Sequence, residues 1–171
     1  MSEMIEVYEG FSRFSPVKLS LKEARYTKFY MSIAYTAAKL SFAKRRTVGC
    51  IAVKNDNIIG FGFNGTPAGC DNKCEDDEGN TLPNVVHAEE NLLKKIAALQ
   101  KVETLAEVDL DGVSLFITKE PCIHCAKLIS NTKGLKDIYY CENSVSKPLE
   151  GVKHLYKTPF NTQTFRMELP C

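Results

Sequence analysis

Cys122 and Cys125 stand three residues apart in "PCIHC", and about 35 residues before them His87 is followed by Glu89 in "HAEE". On a helical turn that spacing puts both sulfurs on one side and turns Ile123 and His124 elsewhere. Two thiolates can therefore grip one ion. A catalytic zinc takes three protein donors and keeps a fourth position for water, whereas a structural zinc takes four. His87 offers the third donor, and Glu89 can carry protons without binding the ion. Two other readings use the same cysteines. A redox pair would belong to a thioredoxin-like unit near the start of a chain. A closed structural zinc site would need Cys70 and Cys74 to complete it, and would leave Glu89 without a task.

Thiolates and metal ligands are favoured at helix starts, where unbonded N–H groups and partial positive charge collect. In "HAEENLLKKIAALQ", Ala88, Leu92, Leu93, Ile96 and Ala97 share a face while Glu90 and Lys94 pair four apart, so a helix begins at or near His87. "VSLFITK" predicts a buried strand leading into a second helix, with Pro121 at its first position, Cys122, Cys125, Ala126 and Ile129 on one face, and Gly134 as its stop. Earlier, Phe29, Tyr30, Ile33, Ala37 and Leu40 recur at helical spacing up to near "AKRR". "TVGCIAV" and "NIIGFGFN" form a hairpin across "KNDN". A long Gly/Pro/Asn-rich loop follows, and such loops inside a compact domain are often functional. "DIYYCEN" is a further strand and "TFRMEL" a candidate last one. Helix, two strands, helix, strand, helix, strand is an α/β layer pattern. Residues 1–23 show no period and are taken as an N-terminal arm, with one domain over 24–171.

The chain has 171 residues, 22 basic and 21 acidic, for a net charge of +1. That near balance favours a small-molecule ligand over nucleic acid, which usually demands a concentrated basic excess. No apolar run approaches the roughly 18 residues of a membrane span. The acidic N-terminus lacks a secretory pattern, so a cytoplasmic protein with reduced thiols is expected. Seven cysteines do not suggest a disulfide framework.

An H-x-E at one helix start and P-C-x-x-C at another, after a strand, is the signature of zinc-dependent base deaminases. In that chemistry zinc acidifies a water. Glu89 moves its proton to a ring nitrogen and then to the leaving amine.

Several blocks carry a more specific resemblance. "FYMSIAYTAAKLS", "VGCIAVKNDNIIGFGFNGTPAGC", "HAEENLL", "LFITKEPCIHCAKLI" and "GLKDIYYCE", over roughly residues 28 to 143, resemble blocks of the deoxycytidylate (dCMP) deaminase family, in family order. The resemblance implies a three-layer α/β/α cytidine deaminase-like fold with a central mixed five-stranded sheet. It implies conversion of dCMP to dUMP, which feeds thymidylate synthesis. It also implies a homohexamer, activation by dCTP with Mg2+ and inhibition by dTTP. Asn64 would contact the sugar, the backbone at Ala88 would read the base, and Phe63 to Gly65 would belong to the effector region. Arg45, in the loop before "VG", would take the phosphate, unless it is only a solvated basic turn. Tyr140 is either close to substrate or an ordinary strand aromatic. Phe63 lacks a tyrosine hydroxyl common in the family, which bears on effector contacts, and Leu92 replaces a smaller residue, which repacks a helix. Some relatives hold another zinc near this loop; Cys70 and Cys74 are present, but no histidine precedes His87 to join them. "DNKCEDDEGNTL" fails as a calcium loop, because Lys73 and Leu82 stand where oxygen ligands belong. The same zinc motifs also serve deamination of dCTP, of a free nucleoside or of a polynucleotide base.

Overall fold

The structure is a computed structural model that describes residues 6–9, 16–17, 19–141, 150–156 and 163–168. Strands β1 (Glu6–Glu9) and β2 (Pro16–Val17) precede helix α1 (Leu21–Ala38), the hairpin β3 (Gly49–Lys54) and β4 (Asn57–Phe63), and helix α2 (Ala88–Gln100). Then come β5 (Val113–Ile117), α3 (Ile123–Ser130), β6 (Asp137–Cys141), α4 (Glu150–Tyr156) and β7 (Gln163–Glu168). One mixed sheet runs in the order β2-β1-β7-β6-β5-β3-β4. Strand β3 is antiparallel to β4 and β5, while β6 lies parallel between β5 and β7. The expected five strands are β4, β3, β5, β6 and β7. Strands β1 and β2, from the segment taken as an arm, extend that sheet beyond β7.

Alternation along the strands builds a core on each face. Cys50 and Ala52 of β3, Leu115 and Ile117 of β5, and Ile138 and Tyr140 of β6 meet α2, α3 and α4. Ile51 and Val53, Phe116, Cys141, Phe165 and Met167 meet α1. This is a three-layer α/β/α arrangement. On the α1 side Tyr139 stacks between Phe116 and Phe165, with ring centroids 4.7 and 4.8 Å away. The hairpin turns through Asn55 and Asp56, both at positive φ (50° and 60°), the backbone of a two-residue turn that suits the strand twist.

Four sequence expectations shift. In α1 the buried residues are Thr27, Tyr30, Met31, Ala34, Ala37 and Ala38, whereas Phe29 and Leu40 are exposed. A Cβ at Gly49 would collide with the Ala34 carbonyl and stand 2.6 Å from the Ala38 nitrogen. The helix backbone lies against the strand there, so small residues occupy the contact and the large ones fall outside it; the helix also ends before "AKRR". Pro121 precedes the cap rather than opening α3, because Cys122 is itself the N-cap, in extended backbone (φ −71°, ψ 167°). Gly134 does not stop α3, which ends at Ser130 with Asn131 as its cap. It turns the chain at φ +72°, where a side chain would meet Asp111.

Candidate active site

Helices α2 and α3 start side by side at the ends of β4 and β5, and each start is fixed by backbone contacts. Val86 donates its N–H to the Gly65 carbonyl at 2.8 Å and accepts from Gly65 N at 3.1 Å, so the residue before His87 is bridged to the end of the hairpin. Asn91 Nδ2 donates to the Phe63 carbonyl at 2.8 Å. A Cβ at Gly62 would collide with the Ala88 carbonyl and stand 2.7 Å from Leu92 N; Ala88 is fully buried against that strand. The α3 start is seated by α4. A Cβ at Gly151 would collide with the Pro121 carbonyl oxygen and lie 2.8 Å from that of Cys122.

His87 is the N-cap of α2 but makes no capping hydrogen bond with its side chain. Its ring is aimed at sulfur instead. Nδ1 lies 3.4 Å from Cys122 Sγ and 3.3 Å from Cys125 Sγ. Tetrahedral bonds of about 2.3 Å to sulfur and about 2.05 Å to nitrogen would separate these atoms by about 3.6 Å. The donor set and its spacing fit zinc. Among the described residues this trio is the one group of three metal-capable side chains whose ligand atoms lie within 4.8 Å of one another. Among the described residues Cys70, exposed, and Cys74, buried, join no such group.

The electrostatics match a cation site. Hydrogen bonding from Cys125 holds the Cys122 thiol down to about 3, with burial opposing and His87 assisting. The same pair pushes Cys125 well up, helped by burial and by Glu89. Hydrogen bonding to Cys122 raises the His87 imidazole against its own burial. Metal binding at such a donor set displaces the protons of its ligands. Glu89, 5% exposed, stands beside Cys125, and burial raises its carboxyl above the ordinary range. His124 turns outward, its Nε2 3.5 Å from Glu90, which also pairs with Lys94 at 2.7 Å.

The other expected residues occupy different places. Asn64 Oδ1 accepts from Val48 N and its Nδ2 donates to the Arg46 carbonyl, both at 2.8 Å, so this side chain fixes the loop entering β3. The backbone N–H groups of Lys44 and Arg45 both donate to Glu75 Oε1, at 3.0 and 3.1 Å. Tyr140 is fully buried in the core facing α2, the position of a strand aromatic. Phe63 and Gly65 border a cleft of about 450 Å³ that Lys94 and Lys95 also line. A second cleft, about 680 Å³, runs past Arg45 and the acidic residues Glu75 to Asp77. Neither is lined by the metal trio. Asn91, Gly62 and Gly151 hold the site together and were not anticipated. A glycine between aromatics in "GFGFN" is a signal for close backbone approach, whereas nothing around Gly151 announces its partner.

A profile of the cytidine and deoxycytidylate deaminase zinc-binding region matches residues 25–142, a span that holds both ligand motifs. The chain belongs to this family. Within it the similarity is to deoxycytidylate deaminases. A crystal structure of dCMP deaminase from cyanophage S-TIM5, in complex with dCMP and dUMP, is 36% identical, covers 86% of this chain and 98% of its own, and superposes with a TM-score of 0.67. The deoxycytidylate deaminase of Mycobacterium phage D29 is 29% identical over 70% of this chain and 96% of its own length. The human deoxycytidylate deaminase is 31% identical over 67% of this chain and 64% of its own length. A tRNA A34 deaminase at 19% identity and TM-score 0.52 shares the fold. The chain is thus a dCMP deaminase-like zinc deaminase, and none of its described helices is long and apolar enough to cross a membrane.

Proposed function

We propose that the chain hydrolyses dCMP to dUMP and ammonia and so supplies dUMP for thymidylate synthesis. The observation that carries this reading is the trio of His87, Cys122 and Cys125 with the buried Glu89 carboxyl next to it. Zinc held there supplies Lewis acidity that brings the pKa of a water towards neutral. Glu89 would accept one proton of that water and deliver it to ring N3 of cytosine as the water oxygen bonds to C4, then take the proton of the new C4 hydroxyl and pass it to the amine as the C4–N bond breaks. Burial suits the carboxyl to this work, because a raised pKa lets it hold a proton between the two transfers. Water and dCMP enter; dUMP and ammonia leave.

Asn64 is assigned to the sugar, the Ala88 backbone to the base and Arg45 to the phosphate. The relative crystallised with dCMP and dUMP supports a monophosphate ligand. We also assign to this chain a hexameric assembly, activated by dCTP with Mg2+ and inhibited by dTTP. The cleft of about 450 Å³ at Phe63 and Gly65, with Lys94 and Lys95 on its wall, supports an anionic effector. The test is ammonia release from dCMP, dCTP, cytidine, deoxycytidine and single-stranded DNA, each with and without dCTP and dTTP. The reading expects turnover of dCMP above all others, sigmoidal, with opposite responses to the two triphosphates. Preference for any other member of the panel would overturn the substrate, and flat kinetics would remove the regulation.

A further inference from the structure

The backbone of His87 is fixed, whereas the tilt of its ring is not fixed in the customary way. Val86 is bridged to Gly65, and the His87 carbonyl accepts from Asn91 N at 2.9 Å. From that anchor the ring turns Nδ1 to the two sulfurs. A histidine that binds a metal through one ring nitrogen is almost always oriented by a hydrogen bond from the other, given to a carboxylate, a carbonyl or water. Among the described residues no protein group makes that bond to His87 Nε2. The orienting contact comes from the other helix instead.

His124 stands between the ligand cysteines in the first turn of α3. Its ring meets the His87 ring edge to face, with centroids 6.0 Å apart and planes at 73°, a geometry that aromatic quadrupoles favour. His124 is steered in turn from α2: its Nε2 lies 3.5 Å from Glu90 Oε2, while Lys94 Nζ holds Glu90 Oε1 at 2.7 Å. At 3.5 Å that contact is long, and the imidazole is mostly exposed, so it orients the ring more than it binds it. Nε2 can donate from the neutral ring or from the imidazolium, and the arrangement therefore does not depend on the charge of His124. The contacts close a loop: Glu90 and His124 join α2 to α3 on the outside of the site, and His87 joins them again through Cys122 and Cys125 on the inside.

We propose that His124, steered by Glu90, is a positioning residue that sets the tilt of the His87 imidazole by packing against it, and so tunes the affinity and the geometry of the metal site. It stands in for the hydrogen bond that a ligand histidine ordinarily gives from its outer nitrogen. The proposal rests on the reading that His87, Cys122 and Cys125 hold a zinc ion. Packing is the part that matters, so an apolar ring at position 124 should serve where a methyl group does not.

The test is zinc affinity by chelator competition, together with the visible spectrum of the cobalt(II)-substituted protein, whose d–d bands report ligand geometry, on the full chain in wild type, His124→Ala, His124→Phe, Glu90→Gln and Lys127→Ala. His124→Ala is expected to weaken zinc about tenfold, the low end for loss of a group behind a metal ligand, and to alter the cobalt bands. Alanine is the better helix former, so a weakened α3 would not account for that loss. His124→Phe should recover most of the affinity. Glu90→Gln should cost about twofold to fivefold, the range of an exposed ion pair. Lys127→Ala, exposed and further along α3, should match wild type in both readouts. Wild-type affinity and an unaltered spectrum in His124→Ala would overturn the proposal, and so would equal losses in His124→Ala and His124→Phe. Wild-type protein that takes up neither zinc nor cobalt would instead overturn the metal reading on which it rests, so the two failures are distinguishable.

Discussion

Gly49 of β3 and Gly62 of β4 each bring a helix backbone into contact with the sheet, α1 on one face and α2 on the other, and at each a Cβ would strike a helical carbonyl. The helices begin in opposite ways. Helix α1 closes its own N-terminus with a capping box: Glu23 N donates to Ser20 Oγ at 3.2 Å and Ser20 N donates to Glu23 Oε2 at 2.8 Å. Helix α2 begins at His87 with no side-chain cap, and the imidazole is spent on two thiols of another helix. One helix end is completed for stability; the other is left incomplete, and chemistry occupies the gap.

That contrast can be broken at several points. The largest effect is expected from Cys125→Ser, which removes a buried sulfur donor: zinc is lost on dialysis and ammonia release falls to background, as elemental analysis and a coupled assay would show. Glu89→Gln comes next. It should retain one zinc per chain while turnover drops by about two to four orders of magnitude, and an active variant would remove Glu89 from the proton path.

The two glycines should then separate stability from function. Overpacking costs about 1–3 kcal/mol at either site, readable by denaturant unfolding. Gly62→Ala also displaces the start of α2, so it should lower kcat/KM at least about tenfold, since misplacement by about 1 Å is enough. Gly49→Ala presses on α1 and should leave kcat/KM near wild type in the folded fraction. Equal activity in the two variants would dissolve the distinction between the faces.

The smallest effects concern the caps. Ser20→Ala should cost about 1 kcal/mol with no change in turnover. His87→Ser should gain a fraction of that in chelator-treated protein, since serine caps a helix and histidine here does not, while abolishing zinc retention. The Ser20 hydrogen bonds hold the Glu23 carboxyl below its ordinary value. Its contribution to stability is therefore complete above that ordinary value and fades as pH falls through the lower folded one. Acid titration of Ser20→Ala should show that component reduced, because the backbone N–H at position 20 still donates to Glu23.

The chemistry-bearing face was the legible one. Ala88, Leu92, Leu93, Ile96 and Ala97 carry enough bulk at helical spacing to declare the buried side of α2, and all five are buried. Helix α1 misled because size and burial part company there: Gly49 draws the backbone so close that Ala34 and Ala38 fit and Phe29 does not. His87, Cys122 and Cys125 were readable because a metal demands particular donor types, whatever their separation in the chain. Gly151 was not, since its requirement comes from Pro121 and Cys122, distant in sequence and met only once α4 packs on α3.

Deamination at this site requires a zinc ion held by one imidazole and two thiolates, with one vertex open to water. X-ray absorption at the zinc edge of the purified full-length protein tests it most directly. One zinc per chain with two sulfurs, one imidazole nitrogen and one light-atom ligand not supplied by the protein is the predicted shell, unchanged in Cys70→Ala and Cys74→Ala variants. A shell with three or four sulfurs, or folded protein without zinc, would contradict it.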